Sequence, residues 1–141
     1  MYGSCRCGNV ELHWQSVDCS LVPRSCQCDY CAARKIAWVS KSGTRLRCTV
    51  HRSALYRTAT HGTQTAQFHE CTYCDTTVLA SSEIDGDDYA VVNAICMRPP
   101  KDFMPGRAVS FSGETLAQRQ DRRKANWCIF DGLQVLDTGK Q

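Results

Sequence analysis

The chain has 141 residues, which is enough for one hydrophobic core and too few for two, so we expect a single domain spanning residues 1–141. Hydrophobic residues make up 43% and charged residues 22% of the sequence, a balance typical of a folded protein and not of a disordered one. The net charge of +3 is too small to favour a nucleic acid or a membrane surface as a partner.

The chain begins Met-Tyr-Gly-Ser-Cys-Arg-Cys, with no apolar run behind a basic start, so it lacks the features of a secretory signal. No stretch approaches the ~18 apolar residues that cross a bilayer. We therefore expect a cytoplasmic protein without a membrane partner. The eleven cysteines are odd in number and closely paired, which favours metal ligands over disulfides.

Alternating apolar and polar residues predict strands along most of the chain. Val10, Leu12 and Trp14 alternate with polar residues directly after the first cysteine pair, and residues 45–51 repeat the pattern with Cys48 facing the core. Further β-rich runs cover residues 36–40, 55–58, 65–70, 77–80, 89–95 and 126–130. The sequence therefore predicts a mainly β fold.

Signals for helices are few. Residues 32–35 could form one turn, whereas residues 114–124 contain only two apolar residues, so we do not expect a stable amphipathic helix there. This segment carries four basic residues that could contact an anionic substrate, although such a pattern is usually a solvated surface: Arg119, Arg122, Arg123 and Lys124. Prolines predict an irregular connection over residues 98–106.

Two cysteine pairs, far apart in the sequence, are suited to one metal ion. Cys5-x-Cys7 and Cys71-x-x-Cys74 supply two short turns, and four thiolates complete a tetrahedral structural zinc site. A redox dithiol at the second pair is the weaker alternative, because the βαβ setting of thioredoxin-like proteins is missing. Asp75 follows the last of these cysteines and tolerates the positive φ that is common after metal-binding turns.

The third cluster, Cys26-x-Cys28-x-x-Cys31, places three thiols in six residues and could hold a second ion. Its fourth ligand is not evident. If water or substrate takes that place, zinc could hold a sulfur as its anion or polarise a carbonyl, which would make the site catalytic. If a histidine or one of the remaining cysteines closes the site, both metals are structural; these cysteines are Cys19, Cys48, Cys96 and Cys128. The spacing leaves both alternatives open.

The remaining titratable groups suggest little chemistry. Cys48, Cys96 and Cys128 lie in apolar runs and are expected in the core, whereas Cys19 is unconstrained. His69 could orient a metal ligand or act as an acid or base, but we expect an exposed histidine on a strand. No residue is identified as the general acid or base, and the oligomeric state is not predicted.

Three segments in this order resemble the glutathione-dependent formaldehyde-activating enzyme family, which includes centromere protein V. They are Gly-Ser-Cys-Arg-Cys-Gly at residues 3–8, the three-cysteine cluster at residues 26–31, and Phe-His-Glu-Cys-Thr-Tyr-Cys at residues 68–74. The resemblance implies an Mss4-like fold of small antiparallel β-sheets organised around zinc. It also implies two zinc sites, one structural on Cys5, Cys7, Cys71 and Cys74, and a second on Cys26, Cys28 and Cys31.

The resemblance implies a zinc-dependent carbon–sulfur lyase that acts on a small-molecule thiol adduct or glutathione conjugate. The namesake reaction forms or breaks down S-hydroxymethylglutathione. Residues 97–127 and the sequence Cys-Asp after the second pair depart from the family pattern, so a related lyase with another sulfur substrate is a serious alternative. A third alternative, a non-catalytic binding module stabilised by zinc, depends on the basic segment at residues 119–124.

Overall fold

The structure, a computed structural model, describes residues 1–16, 18, 20–61, 64–98 and 103–137. The helices are α1 (Asp29–Arg34) and α2 (Leu116–Asn126), with 3₁₀ turns at Ser53–Leu55 and Ala94–Cys96. The described strands are β1 (Tyr2–Ser4), β2 (Val10–Trp14), β3 (Arg24–Cys26), β4 (Trp38–Val39), β5 (Arg45–Val50), β6 (Tyr56–Thr60), β7 (Gln67–Cys71), β8 (Thr76–Ile84), β9 (Asp87–Asn93), β10 (Met97–Arg98), β11 (Arg107–Val109) and β12 (Cys128–Val135).

The described strands join into one hydrogen-bonded sheet. Nine of them follow the order β10-β1-β2-β5-β12-β9-β4-β3-β11, and β8, β7 and β6 branch from β9. Most neighbours are antiparallel, whereas β12 is parallel to β5 and β11 is parallel to β3. The chain is therefore mainly β, as predicted. Its sheet is mixed and continuous, where we expected small antiparallel sheets.

The predicted strand pattern is confirmed in the first half of the chain. β2 has the bounds expected from its alternation, and Leu12 pairs with Cys48 of β5 in the antiparallel register. Both side chains are fully buried. The period of two along each strand therefore placed Cys48 on the correct face.

The core has two parts. The larger cluster surrounds β2, β5 and β9 and contains the buried thiols Cys48, Cys96 and Cys128, which confirms their predicted core positions. The smaller cluster contains Tyr30, Cys31 and the aromatic and aliphatic side chains packed near them. Cys19, whose placement the sequence left open, lies outside the described residues, as do residues 99–102 in the predicted irregular connection.

Helix α2 contradicts the expectation for its segment. The Thr115 hydroxyl accepts a hydrogen bond from the Gln118 backbone N–H and the Gln118 side chain accepts one from Thr115, which forms a capping box. The apolar Leu116 is exposed, whereas Arg119 and Arg123 are buried. The helix therefore packs through the stems of its arginines, a mode that a search for apolar residues does not detect. Neither described helix has the length and apolar character needed to cross a membrane.

Candidate metal centres and the adjoining cavity

The turn after β1 and the turn after β7 bring four cysteines together. The Sγ atoms of Cys5, Cys7, Cys71 and Cys74 all lie within 4.8 Å of one another. Cys5 and Cys71 are fully buried, whereas Cys7 is exposed. The grouping predicted from two distant pairs is thus present, and these four thiols could hold a metal ion.

Local backbone geometry sets up both turns. The backbone N–H of Cys5 donates to the carbonyl of Val10 at 3.0 Å, and the N–H of Val10 donates to Cys5 Sγ at 3.3 Å. Gly8 has a φ of 83°, a left-handed conformation that glycine adopts without steric penalty. Asp75 follows the second pair with a φ of 53°, as predicted for this position. Each turn therefore presents its sulfurs toward the other.

The environment of this group distinguishes its thiols. Burial raises the pKa of the Cys5 thiol above its ordinary range. Burial also acts to raise the pKa of Cys74, but hydrogen bonds from the Thr76 hydroxyl, the Cys7 backbone and neighbouring thiols outweigh it and lower that pKa to about 6. The Arg6 guanidinium donates to the Cys74 carbonyl and ties the two turns together. An all-thiol donor set is typical of sites for zinc and other soft or borderline metals.

The second group lies where β3 leads into α1. The Sγ atoms of Cys26, Cys28 and Cys31 lie within 4.8 Å of one another, and this group could also hold a metal ion. Cys28 is the N-cap of α1, and its sulfur accepts a hydrogen bond from the Cys31 backbone N–H at 3.4 Å. The Gln27 N–H donates to the Val109 carbonyl of β11 at 3.0 Å, which fixes the segment between the first two cysteines.

These three thiols differ in exposure and in acidity. Cys31 is buried, Cys26 is half-buried and Cys28 is exposed. A hydrogen bond from the Cys31 thiol, together with bonds from Cys28 and the positive charge of Arg122, lowers the pKa of Cys26 to about 5. The same hydrogen bond, followed by burial, raises the pKa of Cys31. Cys26 therefore carries negative charge more readily than Cys31.

No fourth ligand joins this group from the part of the chain that the structure describes. No further His, Cys, Asp or Glu there places a ligand atom within 4.8 Å of all three sulfurs. Three candidates for the fourth ligand, Cys48, Cys96 and Cys128, belong to the larger core cluster and not to the cluster around Cys31. The candidate Cys19 lies outside the described residues.

A cavity of about 1020 Å³ adjoins the three-cysteine group, which forms part of its wall. Aromatic side chains form another part, and arginines from β3, α1 and α2 complete it. These lining residues include Trp38, Phe68, Trp127, Arg24, Arg34, Arg119, Arg122 and Arg123. The volume is sufficient for a small organic molecule, and such a mixture of apolar walls and a few polar groups is usual in ligand sites.

Tyr30 connects the three-cysteine loop to the sheet. Its hydroxyl donates to the Glu70 carboxylate and lies 2.7 Å from the Thr77 hydroxyl. Glu70 also accepts from Arg57 Nε at 2.6 Å. Burial raises the pKa of Tyr30, and the bond to Glu70 adds to that shift. Burial acts to raise the pKa of Glu70 as well, but hydrogen bonds from Tyr30 and Arg57 lower it overall. The phenol therefore remains protonated beside an ionised carboxylate.

An imidazole ring and a guanidinium group pack against the ring of Tyr30. His61 stacks on it with ring centroids 3.9 Å apart, and the Arg34 guanidinium carbon lies 3.9 Å from the ring centroid. His61 lines the cavity, and its Nε2 lies 3.8 Å from Glu70 Oε2. No sequence pattern indicates His61, because it lies ten residues before Cys71 without a metal-ligand spacing.

His69 was expected to be an exposed strand residue, and this expectation is wrong. Its side chain is buried, with Nδ1 hydrogen-bonded to the Tyr56 hydroxyl and Nε2 at 2.7 Å from Ser81 Oγ. Its ring also meets Phe130 of β12 edge-on at 5.7 Å. His69, Glu70 and Cys71 are all buried, so both faces are covered at the carboxyl end of β7 and alternation there does not separate inside from outside. Burial lowers the pKa of His69 to about 4, and the imidazole stays neutral.

No family model and no curated protein matches this sequence. A similar solved structure is a crystal structure of a Rhodobacter sphaeroides protein, a Northeast Structural Genomics target. It is 23% identical in sequence, the similarity covers 76% of this chain and 100% of that chain, and the TM-score is 0.58. The likeness concerns the fold.

Proposed function

We propose that this protein is a zinc-dependent carbon–sulfur lyase that acts on a thiol adduct or glutathione conjugate, with an Mss4-like fold of the formaldehyde-activating enzyme family. The observation that carries the proposal is the three-thiol group in the wall of a cavity of about 1020 Å³, with no fourth ligand from the described residues. A closed four-thiol site has no position for a substrate, whereas a three-thiol site has one.

The two cysteine groups have different roles in this proposal. One group would hold a structural zinc that links the β1–β2 turn to the β7–β8 turn: Cys5, Cys7, Cys71 and Cys74. Cys26, Cys28 and Cys31 would hold the second zinc, which when bound supplies a Lewis acid that stabilises a substrate sulfur anion or polarises a carbonyl.

In the proposed reaction, a thiol adds to an aldehyde carbonyl. A bond forms between sulfur and the carbonyl carbon, the carbonyl π bond breaks, and the thiol proton ends on the new hydroxyl oxygen; the reverse step releases thiol and aldehyde.

The aromatic walls exclude water from one side of the substrate, and α1 holds two of the three thiols in a fixed relation. The geometry around Tyr30 supports its role in positioning this helix, because its hydroxyl is fixed by Glu70 and Thr77.

The non-catalytic alternative required a basic surface at residues 119–124. Arg119 and Arg123 are buried and line the cavity together with Arg122. The segment thus offers less surface charge to a nucleic acid than its sequence indicates. The related-lyase alternative is favoured by the same observation, because the segment that departs from the family pattern supplies cavity residues.

Exchange NMR spectroscopy on a mixture of glutathione and formaldehyde tests the proposal. We expect the zinc-loaded protein to accelerate interconversion of free thiol and S-hydroxymethyl adduct, and Cys28→Ser to return the rate to the uncatalysed value. Cys48→Ala is the matched control, because it removes a buried thiol from the other core cluster and should keep the acceleration. Absence of acceleration with glutathione and with a panel of other thiols would exclude the lyase function.

A further inference from the structure

Five arginines line the cavity. Helix α2 supplies three of them: Arg119, Arg122 and Arg123. The other two are Arg24 of β3 and Arg34 of α1. Five guanidinium groups in the wall of one cavity are unusual in a chain whose net charge is only +3. Since arginine is rarely buried without a partner, this concentration requires an explanation.

Protein carboxylates neutralise only part of this charge. Glu114 receives two hydrogen bonds from Arg122, at 2.8 and 3.0 Å, and lies 3.6 Å from Arg119 Nε. Asp29 is the one carboxylate among the described residues that line the cavity. Three thiolates around a divalent ion would add a single net negative charge. An excess of positive charge therefore faces the cavity.

Arg123 is a buried arginine whose hydrogen bonds are incomplete. The residue is only 7% exposed, and its Nη1 donates to the Thr65 carbonyl, the Thr65 hydroxyl and Ser82 Oγ at 3.0–3.2 Å. Its Nε is buried and has no hydrogen-bond partner among the described residues. Burial, and then the charges of Arg122 and Arg119, lower the pKa of Arg123 to about 10. A buried donor of this kind is destabilising until an acceptor reaches it.

Arg24 and Arg122 are held in fixed positions beside the thiols. Arg24 lies two residues before Cys26, and its Nη2 donates to Ser40 Oγ at 2.6 Å. The Arg122 guanidinium carbon lies 3.6 Å from the ring centroid of Phe111, and Glu114 fixes its plane. Both residues line the cavity that the three thiols also line. An anion bound in this cavity would be attracted by both guanidinium groups.

Aromatic side chains supply an apolar part of the lining, and the Arg123 guanidinium carbon lies 4.9 Å from the ring centroid of one of them, Trp127. Trp38, Phe68 and Trp127 line the cavity, and the rings of Trp38 and Phe68 lie 6.1 Å apart. This surface can cover the hydrocarbon part of a ligand whose charged end faces the arginines. The cavity thus combines a thiol group, an apolar surface and arginines whose charge is only partly neutralised.

We propose that the cavity binds an organic oxyanion, a carboxylate or a phosphate ester, with its charged group on Arg24, Arg122 and Arg123 and its apolar body against Trp38, Phe68 and Trp127. The inference deepens the proposed function, on which it rests for identifying this anion as part of the sulfur substrate. Anion binding itself does not require turnover. The arginines of α2 come from the segment that departs from the family pattern, so the anion would distinguish this chain's substrate.

Isothermal titration calorimetry on the zinc-loaded protein tests the inference with three probes: 3-phenylpropanoate, its uncharged amide and inorganic phosphate. We expect the carboxylate to bind at least about tenfold more tightly than the amide, which corresponds to about 1.4 kcal/mol. We also expect this preference to weaken as salt is added. Equal binding of acid and amide, together with no binding of phosphate, would overturn the inference without the use of any variant. Binding of phosphate, with no preference for the carboxylate, would retain the oxyanion site and identify its ligand as a phosphate ester.

Matched variants locate the site. Arg24→Gln and Arg122→Gln should each remove most of the preference for the acid over the amide. Arg47→Gln removes the same charge from an exposed position on β5, outside the cavity, and should retain the preference. An equal loss in all three variants would show a general charge effect and contradict the inference. Anion binding together with absent lyase turnover would refute the proposed function alone, whereas turnover without anion preference would refute only this inference.

Discussion

The Sγ atoms of Cys7 and Cys71 lie 3.6 Å apart although 64 residues separate them in the sequence. Cys7 belongs to the turn between β1 and β2, and Cys71 is the last residue of β7. A metal held between them would cross-link the amino terminus to the β7–β8 turn. Such a link stabilises a fold by restricting the unfolded chain and by binding only when the ligands are assembled.

Removal of one ligand from each cysteine group should therefore have different effects on stability. We expect Cys71→Ser to lower the midpoint of thermal unfolding strongly, because Cys71 is fully buried and belongs to the group that joins distant segments. Cys28→Ser should have a smaller effect, because Cys28 is exposed and its group is local. Circular dichroism melts of both variants with and without a chelator measure the difference. Equal effects would contradict the structural role of the first group.

His69 should make stability depend on pH. Its pKa is lowered to about 4 in the folded protein, whereas an unfolded histidine titrates near 6.5. Between these values the unfolded chain binds a proton and the folded chain does not, so stability falls as pH decreases from about 6.5 to about 4. The full contribution is of the order of 3 kcal/mol.

The difference in the free energy of unfolding between the wild type and His69→Gln isolates this effect, because the cysteines titrate equally in both proteins. Urea unfolding at several pH values should show a flatter acid side in the variant. If the free energy of unfolding changes with pH by the same amount in the variant and the wild type over this range, His69 is not buried as a neutral group.

Glu70 should contribute to stability through its charge. The carboxylate is buried and accepts hydrogen bonds from Tyr30 and Arg57. The carboxylate accepts both bonds, whereas the amide of Glu70→Gln can accept only one of them and points an N–H at the other donor. We therefore expect a loss of about 1–3 kcal/mol in the free energy of unfolding. Arg57→Gln is the comparison; its side chain is 61% exposed, and a smaller effect is expected. Chemical denaturation of both variants provides the test, and a larger effect at Arg57 would oppose it.

Gly3 should not tolerate a side chain. A Cβ atom there would lie 2.5 Å from the Cys96 carbonyl oxygen and 2.8 Å from Met97 Sδ, so β1 would have to separate from β10. We expect Gly3→Ala to destabilise the protein by about 1–3 kcal/mol, as overpacking does elsewhere. At Gly113 nothing lies within 4 Å of the added atom, so Gly113→Ala serves as the control. Unfolding midpoints that change equally in both variants would contradict the close packing of these strands.

The sequence was most informative where a short-range pattern determined the structure. The alternation at Val10–Trp14 placed a strand correctly, and pairing of thiols within each turn indicated which four cysteines would meet. The positive φ of Asp75 could also be anticipated from its position after the second pair.

The cavity was not predictable by the same means. Its walls come from β3, α1, β7 and α2, and their approach depends on long-range strand pairing that no local pattern encodes. The four-residue spacing of Arg119 and Arg123 was an available signal for a shared helix face. This signal does not appear as apolar periodicity, because the buried face of α2 consists of arginine stems and its leucine is exposed. The burial of His69 was not predictable from alternation, because both faces of β7 are covered at its carboxyl end.

The most direct test of an open second metal site is the zinc content per chain, measured by elemental analysis of the wild type and of Cys28→Ser. We predict two zinc ions in the wild type and one in a Cys28→Ser protein that retains its fold by circular dichroism. One zinc ion in both proteins would show that the three-cysteine group does not hold metal and would contradict the account of the site.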